Sequence, residues 1–485
     1  MVEAEQVEVN LAELMGHLSV HFSRREPAVQ AGKYVRGLLS DLPRKNCWTL
    51  AEYAGDATPD RMQRLLERAS WDTLAAMGTV RDFVAEHLAG AGGGLAILVL
   101  DESGVEKTGI ATCGVKRQYV GCAGKVANAV NVVNASYGTD HGHALIGARL
   151  YVPVEQIDDP QVRRAMGIPD DLEFRTKPQL GADLLVDAVT AGVRVDWCTG
   201  DAVYGRDRAL REACEQRGIG YSLGVPCSFR VRLPSGLKLR ADAAVKLAAT
   251  GGWQVASCGP GSKGDRRYQW AWLATASDRH FLLIRRSLRK PAELAFFYCW
   301  VPAGVPATLR VLTAVTGRRW TIEEDHQLGK DQFGYDHFQT RLHTPILRHL
   351  VLVMAALAVC AITCADTHTT TPHTPTSRTE PPPADIGLIP LTVAEIKRLF
   401  NLATPGLAVD HASPALVPMA PPAPSTCPLA SPPSPTHMIR SRSTAALVGS
   451  AVAARIDQSK PPKRSFVTVT FQTLWPLSPN FDAAK

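Results

Sequence analysis

Short apolar runs that end in acidic residues predict two strands in the first half of the chain. Residues 95–100 are apolar and partly β-branched and lead directly into Asp101, which predicts a buried strand with a carboxylate at its C-terminal tip. Residues 193–199 predict a second strand, which leads through Gly200 into Asp201. Strand tips of this kind face the crevice where α/β sheets bind ligands. The two aspartates are therefore candidates for one polar site.

The residues around these strands predict the rest of a sheet. Residues 114–121 and 128–137 alternate with period two and are separated by glycines, which predicts antiparallel neighbours of the Asp101 strand. Residues 206–217 predict a helix and residues 220–226 another strand. This β-α-β order places the Asp201 strand next to the Asp101 strand.

Residues 1–92 have few strand-like runs and predict a helical domain. A short helix over residues 48–55 closes at Gly55, and a basic amphipathic helix begins at Asp60. This is the outline of a helix-turn-helix. Its second helix would present Arg61, Gln63, Arg64 and Arg68. Many helical hairpins never touch DNA, so the pattern alone leaves a DNA-binding and a purely structural role open.

Residues 227–312 are rich in aromatic and β-branched residues and predict a β-rich insertion. The interval from Asp201 to Glu323 is 122 positions, more than a strand and a connector need. Its basic cluster contains Lys263, Arg266 and Arg267. Basic residues among aromatics such as Trp270 and Trp272 suit a DNA clamp. Core packing of the two tryptophans is the alternative.

Residues 317–330 predict a helix that is entered from a turn at Gly317 and ends near Gly334. At 100° per residue, four of its residues share one face: Arg319, Glu323, His326 and Lys330. A carboxylate flanked by fixed cations suits a place where metal and phosphate meet. The alternative is a solvated charged face.

Residues 350–365 carry no charge but are fewer than the roughly 20 that a membrane span needs. They predict a buried helix, which closes a segment over residues 313–365. Residues 366–485 contain 20 of the 34 prolines of the chain and predict a largely disordered tail. A short helix is predicted near residues 391–402.

Composition limits the cellular compartments and the kinds of binding partner that are consistent with this sequence. The formal net charge of +7 is small for 485 residues, so nucleic-acid binding must come from local basic clusters. The 11 cysteines include no CxxC pair, which suits a reducing compartment and gives no zinc framework. The first residues are acidic and show no apolar signal core. We expect a cytoplasmic, nucleoid-associated protein without a membrane segment.

Several stretches resemble the IS701 family, within the IS4-like transposases of the DDE superfamily. Arg319, Glu323 and Lys330 match the family signature R-x3-E-x6-K. Residues 45–52, 118–125, 150–153, 199–205 and 318–320 continue the match in order, and the resemblance covers roughly residues 30–400. The tyrosine that the family usually places three residues before the arginine is Thr316 here, and the basic end typical of the family is absent.

The resemblance implies an α/β fold with a ribonuclease-H-like mixed sheet. Its catalytic core would comprise residues 93–226 and 313–365, on either side of the insertion. Asp101, Asp201 and Glu323 would form a catalytic triad that binds two Mg²⁺ or Mn²⁺ ions, whose preference for oxygen ligands these carboxylates suit. Arg319 and Lys330 would contact DNA beside the metals.

The function implied is that of an insertion-sequence transposase. It would bind terminal inverted repeats of double-stranded DNA, as a homodimer pairing two ends, and catalyse cleavage and strand transfer. The atypical C-terminal end leaves a second hypothesis open, a degenerate copy that binds ends without moving them. A metal-dependent nuclease without strand transfer is a third.

Overall fold

A ten-stranded mixed sheet runs through the residues that this computed structural model describes, namely 2–89, 94–121, 124–261, 264–370 and 391–404. The described residues all fall within one compact unit. Most of the predicted disordered tail lies outside them, and so does Lys263. The predicted domain boundaries stay predictions.

The strands and helices have the following bounds. The strands are β1 (Ile97–Glu106), β2 (Val115–Val120), β3 (Lys125–Gly138), β4 (His143–Leu150), β5 (Trp197–Gly200), β6 (Gly220–Val225), β7 (Arg230–Arg232), β8 (Lys238–Arg240), β9 (Gln254–Gly261), β10 (Gly264–Ala274), β11 (His280–Arg286) and β12 (Leu294–Trp300). The helices are α1 (Val2–Ser19), α2 (Arg25–Leu39), α3 (Cys47–Tyr53), α4 (Asp60–Glu67), α5 (Thr73–Leu88), α6 (Val154–Asp158), α7 (Pro160–Ala165), α8 (Lys177–Thr190), α9 (Ala202–Gly205), α10 (Arg208–Gln216), α11 (Val245–Thr250), α12 (Leu309–Arg318), α13 (Trp320–Phe333), α14 (His343–Thr370) and α15 (Val393–Ala403).

The sheet has the order β2-β3-β1-β5-β6-β12-β11-β10-β9, and β4 pairs with β3. β2, β3 and β1 are antiparallel neighbours, whereas β1, β5 and β6 run parallel. The mixed α/β class and the predicted position of the Asp201 strand beside the Asp101 strand are therefore correct. The ribonuclease-H-like detail remains a prediction.

The strand that carries Asp101 is longer than predicted. β1 runs on to Glu106 because β3 pairs with it along its whole length, from Ile97↔Gly138 to Glu106↔Ala129. Asp101 thus lies inside β1 and not at its tip. The parallel neighbour of β1 is β5, and β5 does end at the level of Asp101, because its last residue is Gly200. The β5 strand in turn starts at Trp197 and not at Val193.

The β-rich residues 227–312 extend this same sheet. β12 pairs antiparallel with β6, and β11, β10 and β9 follow in order. The small β7–β8 hairpin forms a separate two-stranded sheet. Trp270 is fully buried, and Trp272 stacks against Phe281 at a ring distance of 4.8 Å. Core packing, and not a DNA clamp, is therefore the role of Trp270.

The apolar helix α14 forms the centre of the helical layer. Residues 343–367 are long and apolar enough to cross a membrane, but their most hydrophobic window is 100% buried within the protein. The helix packs against α1, α2, α4, α5 and β4. The predicted buried helix is thus present, and it continues to Thr370, beyond residue 366 where the tail was predicted to begin.

The helix that carries Glu323 begins later than predicted. Gly317 lies in the last turn of α12, and Arg319 joins α12 to α13 with helical dihedrals (φ −53°, ψ −28°). A Cβ at Gly317 would lie 2.4 Å from the carbonyl oxygen of Cys258, so glycine there allows close contact with β9 and does not mark a turn. α13 ends as predicted, with Gly334 left-handed at φ +70°.

Candidate active site

Asp101 and Asp201 are brought side by side by the register of two parallel strands. Leu100 of β1 pairs with Gly200 of β5. The residue that follows each of them is one of the two aspartates. After Gly200, the carboxylate of Asp201 caps the short helix α9 by accepting from the backbone N–H of Val203 at 2.8 Å. The strand pairing thus places two acids, 100 positions apart in the sequence, at one level of the sheet.

Helix α9 lies directly on β6, and this contact fixes the position of Asp201. A Cβ at Gly205 would lie 1.8 Å from the carbonyl oxygen of Gly224. Only glycine allows the helix and strand backbones to approach this closely. The Gly205 that follows Asp201 is therefore required by packing.

Arg319 connects Glu323 to the aspartates. Its guanidinium donates a hydrogen bond to Glu323 one helical turn away, and it lies 4.0 Å from Asp101 Oδ2. Side chains at positions i and i+4 share a helix face, which makes the first contact local. The second contact exists because α13 packs against β1. Arg319 thus contacts two of the three predicted acids, and the charge of the third, Asp201, also acts on it.

Burial and the neighbouring negative charges both shift the pKa values of the acids in this site. Burial raises the pKa of Asp101 to about 8, the charges of Asp201 and Glu102 add to this rise, and Arg319 opposes it. Burial and the charge of Glu102 also raise the pKa of Asp201. Burial by itself lowers the pKa of Arg319. The charges of Glu323, Asp101 and Asp201 outweigh burial and raise this pKa above its ordinary value. A cation at this place is strongly favoured.

Glu102 is an acid of the site that the sequence did not assign. Strand alternation predicts that it points away from Asp101. The structure shows its carboxylate 2.8 Å from Lys177 Nζ, and it accepts a hydrogen bond from the hydroxyl of the buried Tyr204 at 3.3 Å. Because Tyr204 belongs to α9, Glu102 lies close enough to Asp201 to raise its pKa. Its position next to Asp101 in the sequence was the available signal.

A buried polar network fixes α13 on the sheet. Asp325 is fully buried; it accepts a hydrogen bond from Ser136 of β3, and its Oδ1 lies 2.8 Å from His143 Nδ1 of β4. His143 Nε2 lies 3.3 Å from Glu324. Burial alone lowers the pKa of His143, but Asp325 and Glu324 raise it to about 10. Nothing in the sequence distinguishes Asp325 from the exposed acids of this helix.

The predicted charged face of α13 is not a solvated surface. Arg319, Glu323 and Lys330 are half-buried, and Lys330 donates to the carbonyl oxygen of Gly104 in β1 at 3.1 Å. His326 is buried, and burial together with the charge of Lys330 lowers its pKa to about 3. The imidazole is therefore neutral at pH 7. Its Nε2 has no hydrogen-bond partner among the described residues.

The predicted DNA contacts lie in different parts of the structure. Arg61 and Arg64 are exposed on α4, far along the chain from the acids. Arg266 of β10 lies over the ring of Trp320 at 5.7 Å and donates to the carbonyl of Gly317 at 3.2 Å. It thereby joins the β-rich segment to α13. Arg267 is exposed, and Lys263 lies outside the described residues.

The donor set fits a divalent cation in its chemistry. Asp101 and Asp201 supply hard oxygen ligands, and a bound cation would stabilise the charged carboxylates that burial and the neighbouring acids disfavour. Within the described residues, however, no group of three or more His, Cys, Asp or Glu side chains is gathered closely enough to hold a metal ion. Glu323 is instead bound to Arg319.

Residues 15–242 match a family model described as DDE superfamily endonuclease. This range contains Asp101 and Asp201 and ends before Glu323. Enzymes of that superfamily generally use divalent metal ions, so the match accords with the donor set.

The chain is also 29% identical over 208 residues to a probable transposase for insertion sequence element IS701 from Microchaete diplosiphon. The alignment covers 42% of this chain, and the chain spans about half (50%) of the length of this curated relative. The resemblance found in the sequence is thus confirmed. A piggyBac transposase synaptic complex with hairpin DNA shares a TM-score of 0.41 at 11% identity, covering 83% of this chain and 77% of that one, a likeness too low to add to the fold or the site.

Proposed function

We propose that this IS701-like chain of the DDE superfamily is a DNA transposase that binds the terminal inverted repeats of an insertion sequence and catalyses their cleavage and strand transfer. Asp101, Asp201 and Glu323 are its catalytic acids. The observation that carries the proposal is the register Leu100↔Gly200, which sets the two aspartates next to each other, with Arg319 connecting them to Glu323. The partner is double-stranded DNA in the cytoplasm, bound by a homodimer that pairs two ends.

The two aspartates and Glu323 would hold one or two Mg²⁺ or Mn²⁺ ions. Bound there, the ions supply an activated water or DNA 3′-hydroxyl and a charge that stabilises the leaving oxygen. The protein contributes the positions of the acids. Lys177 and Tyr204 hold Glu102, the Ser136–Asp325–His143 network holds α13, and Gly205 holds α9 on β6.

Arg319 suits two roles in this scheme. In the described conformation its positive charge compensates the carboxylates of Glu323 and Asp101. A guanidinium also binds phosphate oxygens in a bidentate manner. When phosphate and cations enter, Arg319 is therefore able to exchange its carboxylate partners for the DNA backbone.

The alternative is a chain that binds transposon ends without cutting them. The finding that favours it is the absence, among the described residues, of a gathered group of three metal-ligating side chains. This chain also has Thr316 where the family usually has a tyrosine, and this difference likewise favours a chain that binds ends without cutting them. Thr316 bonds instead to Ser222 at 2.6 Å in the core.

Cleavage of a labelled DNA fragment carrying the terminal sequence that flanks the gene separates the two functions. We expect cleavage by the wild type only with Mg²⁺ or Mn²⁺. Asp201→Asn should lower its rate at least 1,000-fold, on the order of the loss seen when catalytic groups are removed, and should leave binding of the fragment intact. Asp171→Asn, an exposed loop acid, is the matched control and should cut normally.

Each result decides between the proposals. Binding without cleavage by the wild type would favour the end-binding protein. Cleavage that survives in Asp101→Asn, Asp201→Asn or Glu323→Gln would refute the assignment of the acids. Cleavage without joining of a precleaved end to a target would indicate a nuclease without strand transfer.

A further inference from the structure

A groove between α2 and α4 gathers six cationic side chains on the N-terminal part of the protein. It has a volume of about 880 Å³, and its cations are Arg24, Arg25, Lys33, Arg61, Arg64 and Arg68. Among the described residues that line it, the single acid is Glu26, in the first turn of α2. The sequence pointed to the α4 arginines alone. The fold adds a second wall, which is formed by residues 23–33 at the start of α2.

Four of these cations are available to a ligand. Asp56 lies 2.8 Å from Lys33 and 3.7 Å from Arg61, so those two charges are already compensated. Arg24, Arg25, Arg64 and Arg68 are exposed, and within the described ranges none of them forms an ion pair. Two unpaired guanidinium groups therefore stand on each wall.

The walls are held at a fixed separation by contacts beneath them. Where they meet, the backbone N–H of Ser23 donates to the carbonyl of Ser70 at 3.3 Å, and the Phe22 and Trp71 rings stack at 5.0 Å. Arg348 of α14 lies over Trp71 at 4.9 Å and donates to the carbonyls of Leu66 and Trp71. A buried framework thus fixes the two backbone segments that carry the cations, so that binding an anion requires little ordering of the walls themselves.

The start of α2 adds to the attraction for an anion. Arg24, its N-cap residue, makes no side-chain cap hydrogen bond to the first turn. The free N–H groups of a helix N-terminus and its dipole favour negative charge. Together with the guanidinium groups of Arg24, Arg25, Arg64 and Arg68 on the two walls of the groove, this end suits the several phosphates of a polymer more than one small anion.

We propose that this α2–α4 groove binds the phosphate backbone of double-stranded DNA, apart from the acids of the candidate active site. The inference rests on the proposed function as a transposase and adds a contact that positions the duplex without reading its sequence. Contacts between arginine and phosphate supply affinity and carry no sequence information, whereas sequence is read through base edges and DNA shape. α4 itself is only eight residues long, and one of its arginines is engaged by Asp56.

The test compares two double variants, Arg24→Gln/Arg25→Gln and Arg64→Gln/Arg68→Gln, with the wild type. Binding is measured by fluorescence anisotropy on two 30-bp duplexes, one with the end sequence and one unrelated, over a range of salt concentrations. Log K falls with log salt, and losing two phosphate contacts should make this fall less steep by about 1.8. Binding should weaken roughly tenfold. Both duplexes should lose affinity by the same factor.

The matched control is Arg230→Gln/Arg232→Gln, which removes two exposed arginines of β7 outside the groove. It should bind as the wild type does. All four substituted groove positions are exposed, so melting temperatures should be unchanged and a loss of binding cannot be ascribed to unfolding.

The outcomes separate this proposal from the proposed function. If the wild type binds and cuts DNA while both groove variants bind equally well, the groove proposal is wrong and the transposase stands. A loss confined to the end sequence would show base reading and would overturn backbone binding. If the wild type binds neither duplex, both proposals fail, and binding to phosphatidylserine vesicles instead would assign the groove to a membrane surface.

Discussion

Replacement of Asp325 by asparagine tests whether one buried acid holds the helix of Glu323 in place. Asp325 is fully buried between Ser136 and His143. The substitution keeps the shape of the side chain and removes the negative charge that compensates the imidazolium of His143. Breaking a buried ion pair from one side destabilises by about 3–5 kcal/mol. Glu324 remains as a second partner of His143. We therefore expect the free energy of unfolding to fall by about 3 kcal/mol, the lower end of that range.

The assay is thermal unfolding of the full chain, followed by circular dichroism at pH 7. In large domains 1 kcal/mol corresponds to about 2 °C, so Asp325→Asn should lower the melting temperature by about 6 °C. Asp331→Asn, an exposed acid on the same helix, is the control and should shift it by about 1 °C or less. A melting temperature of Asp325→Asn within that margin would refute the role of the network.

The pH dependence supplies a second check on the same residue. Because the pKa of His143 is about 10 in the folded protein and the ordinary value is 6.5, the stabilisation is complete below pH 6.5. It is lost as the pH rises through about 10. The gap in melting temperature between the wild type and Asp325→Asn should therefore narrow from pH 7 to pH 10. A gap that widens with pH would contradict this assignment of the charge.

Two further substitutions test the packing. Gly205→Ala would put a Cβ 1.8 Å from a backbone oxygen of β6 and should destabilise by about 3 kcal/mol in urea unfolding, whereas Gly16→Ala, with open space around it, should be neutral or slightly stabilising. Phe400 of α15 is 1% exposed, so Phe400→Ala should cost about 3–5 kcal/mol, and Leu402→Ala, at 70% exposure, less than about 0.5 kcal/mol. Equal urea midpoints for either pair would show that the packing of that element is not as described.

Local signals were sufficient for the elements that carry the acids. The apolar run before Asp101, the turn after Gly200 and the 3.6-residue period of α13 are each contained within about 15 residues. The same holds for the buried helix α14, whose apolar length alone predicted it. The short helix α15 lies where residues 391–402 predicted a helix.

The sequence by itself therefore determined which acids lie in a strand or directly follow one, and which residues share a helix face. The tertiary structure decided the rest: that β1 continues past Asp101 because β3 pairs with its whole length, and that β12 joins β6 to extend one sheet. It also decided that Arg319 lies among the acids, and that Arg24 and Arg25 face the arginines of α4. The physical reason is that periodicity reports which side of an element is buried. It carries no information on which distant element buries it, and pairing between elements that are far apart in the sequence is fixed only when the whole core closes.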